Sequence, residues 1–403
     1  MRVKALVMIA VTLILATAAW ASSETLLYSF NNFSGDGYYP YTGLVADANG
    51  NLYGTTQSGG AGYGTAFELS LSNGVWTETI LHTFTAGTTD GAYPEYSSMV
   101  FDKKGNLYGT TYNGGTANLG TIFELSKSGG TWTETLLHSF TNVAPDGYGP
   151  QAGLSLDTAG NIYGTTEYGS THSAGSVFQL KPLKNGKWSY KVIHALPGGP
   201  TAYYPVGGLT QGQNGYYYGT TYYGGAIWNA GTVYRMFLSR GVWVAQTVYT
   251  FDGDTLGAGP DSSLTVDAAG NLYGTTYQGG DFNLGLVFEL KRGKNDRFTY
   301  LVLHSFGGNP DGSTPWYGAG VTLDSKGDIF GTTRYGGTQS GTGTVYELKL
   351  ANGHYSERVL WDFGASGDGY QPLAGVILVK GKLYGGTYAG GGHGAGTVFE
   401  VTP

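Results

Sequence analysis

Apolar and polar positions recur along this chain with a long period. A short apolar-aromatic run, NLYGTT or a near variant, places its ring at Tyr53, Tyr108, Tyr163, Tyr218, Tyr273, Phe330 and Tyr384. The first five stand 55 residues apart, and the last two intervals are 57 and 54. A period near 50 marks a propeller or a similar array, in which no unit can bury its apolar faces alone. Each period reads as four β-segments. Strand a ends on an aspartate (Gly43 to Asp47), strand b is LYGTT, strand c is GTIFEL or a variant (Gly120 to Leu125), and strand d is the Trp132 to Phe140 run. The intervening turns carry Gly and Asn, which supply the positive φ that hairpins need. The apolar runs are nearly continuous, as expected when both faces of a sheet pack on neighbours.

The ends of the repeat array predict a closed ring. Residues Glu24 to Phe30 match strand d, whereas the last repeat stops at strand c, Gly396 to Glu400. Pairing the two completes a seventh blade and leaves no bare sheet edge. An open solenoid would leave both segments unpaired. The expectation is therefore an all-β, seven-bladed propeller over residues 22–403, with the N-terminal strand closing the ring. Before it, Arg2 and Lys4, the apolar run Ala5 to Ala18 and Ala19-Trp20-Ala21 read as a secretory leader over residues 1–21. A membrane anchor is the alternative, but the run is short for a span.

Composition narrows the function classes. Gly is 71 and Tyr 33 of 403 residues, and only 12% are charged, which suits many tight turns between short strands rather than surface helices. There is no cysteine, so disulfides, thiolate metal sites and a Cys nucleophile are excluded. The formal charge of −7 becomes −9 once Arg2 and Lys4 are removed, which argues against a nucleic-acid partner. The reading is a secreted monomer with no cofactor, no metal and no membrane span after leader removal.

The pieces GNLYGTT (Gly105 to Thr111), Gly114-Gly115, GTIFEL (Gly120 to Leu125) and LLHSF (Leu136 to Phe140) resemble the bacterial choice-of-anchor GloVer-containing tandem-repeat proteins. Strands a and b, as in Val266 to Tyr273, are less specifically similar to NHL-type repeats. The resemblance implies export and surface display and supplies no catalytic residue. The chain ends at Pro403 directly after strand c, so release rather than anchoring is expected.

Residues found in every repeat read as scaffold, because a site needs the symmetry broken. His82, His138, His194 and His304 share one strand d position, occupied elsewhere by Tyr28, Tyr249 and Trp361. From strand spacing, neighbouring outer strands stand roughly 15–20 Å apart, too far to share an ion, so these rings read as fillers. The strand a aspartates Asp47, Asp102, Asp157, Asp267 and Asp324 read as turn caps. The Thr-Thr pairs read as β-branched strand filling. The Asp-Gly pairs at Asp36, Asp90, Asp146, Asp311 and Asp368 read as capped turns, since one carboxylate per loop is thin for calcium.

Strand alternation puts the d-to-a and b-to-c loops on one face, and these are the long, variable, aromatic ones. Function is usually placed in such loops on a rigid scaffold. The residue after each Thr-Thr breaks symmetry: Gln57, Tyr112, Glu167, Tyr222, Tyr277, Arg334 and Tyr388. With Trp228 and Trp316 these form the candidate ligand-binding set. Rings beside amides suit hydroxyl-rich ligands. The leading expectation is a binding module for an extracellular polysaccharide or other polymer. A structural or surface-protein-binding role is the alternative. A glycan hydrolase or lyase, drawing on Glu167, Arg334 and His172, is the second alternative.

Overall fold

A computed structural model describes residues 22–403 except Ser34, Ser97, Ala226, Ile227, Tyr317 and Ser340. The expected leader therefore lies outside the described residues. Seven four-stranded antiparallel sheets form the blades of a propeller. In the first, strand a is Val45–Ala46, strand b Leu52–Thr56, strand c Thr65–Ser72 and strand d Val75–Thr83. The inner strand is only two residues long in six blades, shorter than the sequence suggests. The seventh blade is closed as expected: Ser23–Ser29 pairs antiparallel with Thr397–Thr402, from Ser23 opposite Thr402 to Ser29 opposite Thr397. Phe30 follows that strand, is fully buried and donates its backbone N–H to Gly396 O at 3.0 Å.

The core is a set of inter-blade layers. Strand b is buried along its whole length in six blades, and a strand c aromatic, such as Phe67, Phe123 or Phe178, is buried in every blade. The strand b glycine sits over that ring: a Cβ on Gly109 would stand 2.5 Å from Phe123 Cζ.

Three repeated devices lock the seams between blades. The first Thr of six Thr-Thr pairs donates to a carbonyl of the next blade, from Thr55 to Pro94 O at 3.3 Å through Thr332 to Ala374 O at 2.8 Å. The second bonds across its own blade, as Thr111 to Thr121 at 2.7 Å. These threonines thus do more than fill a strand. The second device is a proline in each d-to-a loop, which packs on the glycine opening strand c of the preceding blade. A Cβ on Gly120 would stand 2.6 Å from Pro150 Cδ, and the Gly120 φ of +102° already disfavours side chains. Gly120→Ala is expected to cost about 2 kcal/mol or more, read as a lowered midpoint in urea.

The third device lies at the outer rim. There the Asp of each Asp-Gly pair caps its own loop and receives the strand d ring. His82 Nε2 lies 3.2 Å from Asp90 Oδ1, His304 Nε2 lies 2.9 Å from Asp311 Oδ2, and Trp361 Nε1 donates to Asp368 Oδ2 at 3.1 Å. Asp90 also accepts from Gly91 N and from Thr85 N and Oγ1. The capped-turn reading of these loops holds, and so does that of strand a, where Asp47 Oδ1 accepts from the N–H groups of Asn49, Gly50 and Asn51.

The estimate of wide separation between outer strands does not hold. In four of the seams a strand d carboxyl (Glu24, Glu78, Glu134 or Glu357) comes up beside the loop aspartate, and the ligand atoms of His82, Asp90 and Glu134 fall within 4.8 Å of one another. Sheet twist carries the outer strands toward each other, which a flat-spacing estimate ignores. The four histidines nevertheless remain in separate seams. Asp90, though burial pushes it up, is held below its ordinary value by the His82 and Thr85 hydrogen bonds.

Candidate functional site

The loop-rich face is built by one repeated hydrogen bond. The residue after each Thr-Thr (Gln57, Tyr112, Glu167, Tyr222, Tyr277, Arg334, Tyr388) donates its N–H to the residue before the loop proline, at 2.9 to 3.2 Å. Those acceptors are Tyr39, Tyr93, Gly149, Tyr204, Gly259, Thr314 and Gln371, all with φ between +54° and +66°. Five are not glycine, so the face holds strained backbone that the scaffold must over-determine. Each also donates to the preceding blade's b-to-c loop, as Tyr204 N does to Ala174 O at 3.0 Å. The seven expected residues therefore do form one collar.

A second tier is the residue after each proline, which in several blades leans on the collar residue of the preceding blade. Gln57 Nε2 donates to Glu95 Oε2 at 2.9 Å. The Trp316 ring lies 5.1 Å from Tyr277, and the Arg334 guanidinium stacks 4.1 Å over Trp316. Tyr41 sits between Tyr388 at 4.8 Å and Tyr96 at 4.9 Å. Asp261 is 0% exposed, and neither carboxyl oxygen has a hydrogen-bond partner. Burial pushes its pKa well above the ordinary carboxylate value. Blades 2 and 6 carry one and two extra residues after the proline relative to blade 1. These insertions meet near the axis: a Cβ on Gly318 would lie 3.7 Å from Tyr96 O, and Gly318 O accepts from Gly375 N at 3.1 Å. Tyr317, expected in this loop, lies outside the described residues.

The collar is uneven, and its concave part lies over blades 3 to 5. One cavity of about 240 Å³ is lined by Glu167, Tyr168, Tyr204, Tyr222 and Tyr223. A second of about 400 Å³ shares Tyr222 and Tyr223 and adds Trp228, Asn229, Gly259 and Gln278. The blade 4 loop is one residue longer than its counterpart in blade 3 and carries Trp228 at its tip, 84% exposed with φ +53°. Asn229 fixes that tip by accepting from Gly224 N at 2.8 Å and donating to Tyr203 OH at 2.6 Å. A bulky, exposed residue in left-handed backbone is a genuine outlier. Glu167 is 5% exposed, and burial lifts its pKa to about 7 against a hydrogen bond from Tyr168. Glu95 is likewise lifted by burial to about 7.

Of the expected site residues, Glu167, Tyr222 and Trp228 line this groove. Gln57, Tyr112, Tyr277, Arg334, Tyr388 and Trp316 sit elsewhere in the collar. His172 places Nδ1 3.2 Å from Leu196 O, at the end of strand d, so it is not brought to Glu167 or Arg334. Sequence reasoning missed Tyr168, Tyr223 and Gln278. Each follows a collar residue and pairs with the d-to-a loop, as Tyr168 does opposite Tyr148. Their position one step after Thr-Thr-x was the available signal.

Larger clefts open at the other end. One of about 470 Å³ is lined by Lys103, Lys104, Asp157, Lys187 and Trp188, and one of about 560 Å³ by Asp324, Arg358 and Lys380. They are formed by the repeated turns, whose carboxylates are already used as caps: Asp102 accepts from Lys104 N, Asn106 and Tyr108 OH. Symmetry is broken on the aromatic face, and chemistry is better sought there. Among the described residues no helix is long and apolar enough to cross a membrane.

The profile of a Gloeobacter/Verrucomicrobia repeat matches residues 15–234, 62–288 and 228–403, three overlapping stretches that span the chain. No curated protein matches in sequence. The fold is similar to that of a candidate 6-phosphogluconolactonase from Bacteroides uniformis ATCC 8492, at TM-score 0.52 and 17% identity, over 79% of this chain and 83% of that one. It is also similar to the periplasmic gluconolactonase of Pseudomonas aeruginosa, at TM-score 0.50 and 15% identity, over 89% and 95%. At these identities the likeness is one of fold.

Proposed function

We propose, for a chain that belongs to the Gloeobacter/Verrucomicrobia repeat family, that the propeller is exported and binds a hydroxyl-rich extracellular polymer, most simply a glycan, along the groove of blades 3 to 5. The observation that carries this is the pair of contiguous cavities sharing Tyr222 and Tyr223, with the exposed Trp228 ring beside them. Flat rings stack on the apolar faces of sugars, while Asn229, Gln278 and the tyrosine hydroxyls offer hydrogen bonds to hydroxyls. Two neighbouring cavities that share a wall suit a polymer spanning both better than a small metabolite. The lactonase activity named for the structural neighbours is theirs.

The experiment is a calorimetric screen of cell-wall and plant polysaccharides, repeated with Trp228→Ala. The expected result is a bound polysaccharide whose affinity falls about tenfold in the variant, corresponding to the loss of one stacking anchor. Trp188→Ala at the opposite end is expected to bind as the wild type does. Absence of any polysaccharide ligand would favour the structural or protein-binding alternative.

A further inference from the structure

The smaller cavity has a composition that hydroxyl recognition alone does not require. Four tyrosines wall it, and neighbouring rings meet near right angles: Tyr168 and Tyr204 at 5.0 Å and 68°, Tyr204 and Tyr223 at 5.7 Å and 65°, Tyr222 and Tyr223 at 4.7 Å and 84°. Glu167 contributes the one charged group of the lining. It is buried, and its Oε2 has no hydrogen-bond partner. Every described Lys or Arg other than Arg334 lies on a strand or in the turns at the opposite end, and Arg334 is stacked on Trp316 in blade 6. A buried carboxyl is ordinarily paired. This one has an aromatic box in place of a protein cation.

We propose that this cavity is an ammonium-binding cage, so that the polymer recognised by the face carries a cationic nitrogen, as an amino sugar or a choline-type substituent does. The aromatic faces present their negative quadrupoles to a cation, and Glu167 supplies the counter-charge. A quaternary ammonium is weakly hydrated and leaves water for such a box readily, whereas the primary ammonium of an amino sugar, as compact and well hydrated as that of lysine, depends more on the Glu167 charge. Binding favours the ionised form of Glu167, so complex formation at neutral pH releases a proton. The affinity for a fixed cation consequently rises with pH through the range in which Glu167 titrates. The inference rests on the loop face being the binding face, and not on which glycan occupies the Trp228 side.

The test titrates the full mature chain with choline chloride and with 3,3-dimethyl-1-butanol, its uncharged isostere. Choline is expected to bind at pH 8 and about tenfold more weakly at pH 5.5, and the isostere at least about tenfold more weakly than choline at pH 8, with a smaller gap at pH 5.5. Glu167→Gln keeps the shape and is expected to weaken choline binding at pH 8 and to flatten its pH dependence. Tyr204→Ala should weaken it at every pH, with near-ultraviolet circular dichroism showing that each variant is folded. Oligomers of glucosamine and of N-acetylglucosamine distinguish the source of the nitrogen: preference for the former indicates an amino sugar, and choline binding without that preference a choline-bearing polymer. Equal binding of choline and its isostere, no choline binding at pH 8, or an unaltered Glu167→Gln variant overturns the cage. Trp228-dependent polysaccharide binding would survive any of those outcomes, which separates failure of the cage from failure of the face.

Discussion

Removing residues 22–33 is expected to destabilise the protein by on the order of 5 kcal/mol or more, the largest effect of any change considered. The segment contributes the outer strand of the seventh blade, paired over six positions with Thr397–Thr402. It carries Phe30, fully buried against Phe67 at 5.2 Å, together with Leu27 and Tyr28, which pack on the same inter-blade cluster. Loss of one buried phenylalanine alone costs about 3–5 kcal/mol. Deletion also bares the edge of the last strand, which invites association. The expected observation is a sharply lowered unfolding midpoint with a rise in oligomers by light scattering. A shortened chain as stable as one beginning at residue 22 would mean that the ring is not held shut by this strand.

The second large effect is on pH. Four strand d glutamates are driven into seams beside a second acid. Burial, then the Asp36 charge, lifts Glu78 to about 8. Burial lifts Glu24 to about 7 with help from Asp368, and Glu357 to about 7 with help from Asp311. Glu134 reaches about 7 through burial, partly offset by His82. Glu95 and Glu167 on the loop face behave alike. Each group binds its proton more tightly folded than unfolded. Its contribution is therefore complete below the unfolded value near 4.5 and lost as pH rises through 7 to 8. Two terms run the other way. His194 is lowered by burial and the nearby His172, which favours higher pH, but it is one group against nine, since burial also raises Asp261, Glu289 and Asp368. Asp90 and Asp146 are held low by their histidine hydrogen bonds against burial, and act only near pH 4 and below.

Maximum stability is thus expected near pH 5. Discounted for partial exposure, the fall by pH 8.5 should be on the order of 2–4 kcal/mol. Urea unfolding at the two pH values checks it, and replacing Glu24, Glu78, Glu134 and Glu357 by Gln together should flatten the profile. A midpoint that rises from pH 5 to 8.5 would show that these carboxyls are ionised in the folded protein.

The repeat made most of the fold legible. The Tyr53-to-Tyr384 ladder gave the blade count, and the orphan strands at the two ends gave the closure. Local turn chemistry was readable for the same reason: Asp47 and Asp102 cap turns through neighbours in sequence. What escaped was anything that crosses a seam. The pairing of Glu134 with His82, the Thr55 bond to Pro94 and the seating of Pro150 on Gly120 join residues about 30 to 50 positions apart, and their contact depends on sheet twist and blade angle. For the candidate site, the collar followed from symmetry, because each member occupies one repeat position. The groove did not, since depth depends on which loop is longer and which tyrosines turn inward. Trp228 was visible as an odd residue, whereas the enclosure of Glu167 by Tyr168 and Tyr223 was not.

Amide hydrogen exchange with and without the polysaccharide found by the screen tests the central claim most directly. The account expects added protection in the d-to-a and b-to-c loops of blades 3 to 5, around 167–169, 203–205, 222–230 and 253–259, with the turns near Lys104, Lys187 and Lys380 unchanged. Protection confined to those opposite turns, or spread evenly over all seven blades, would contradict it.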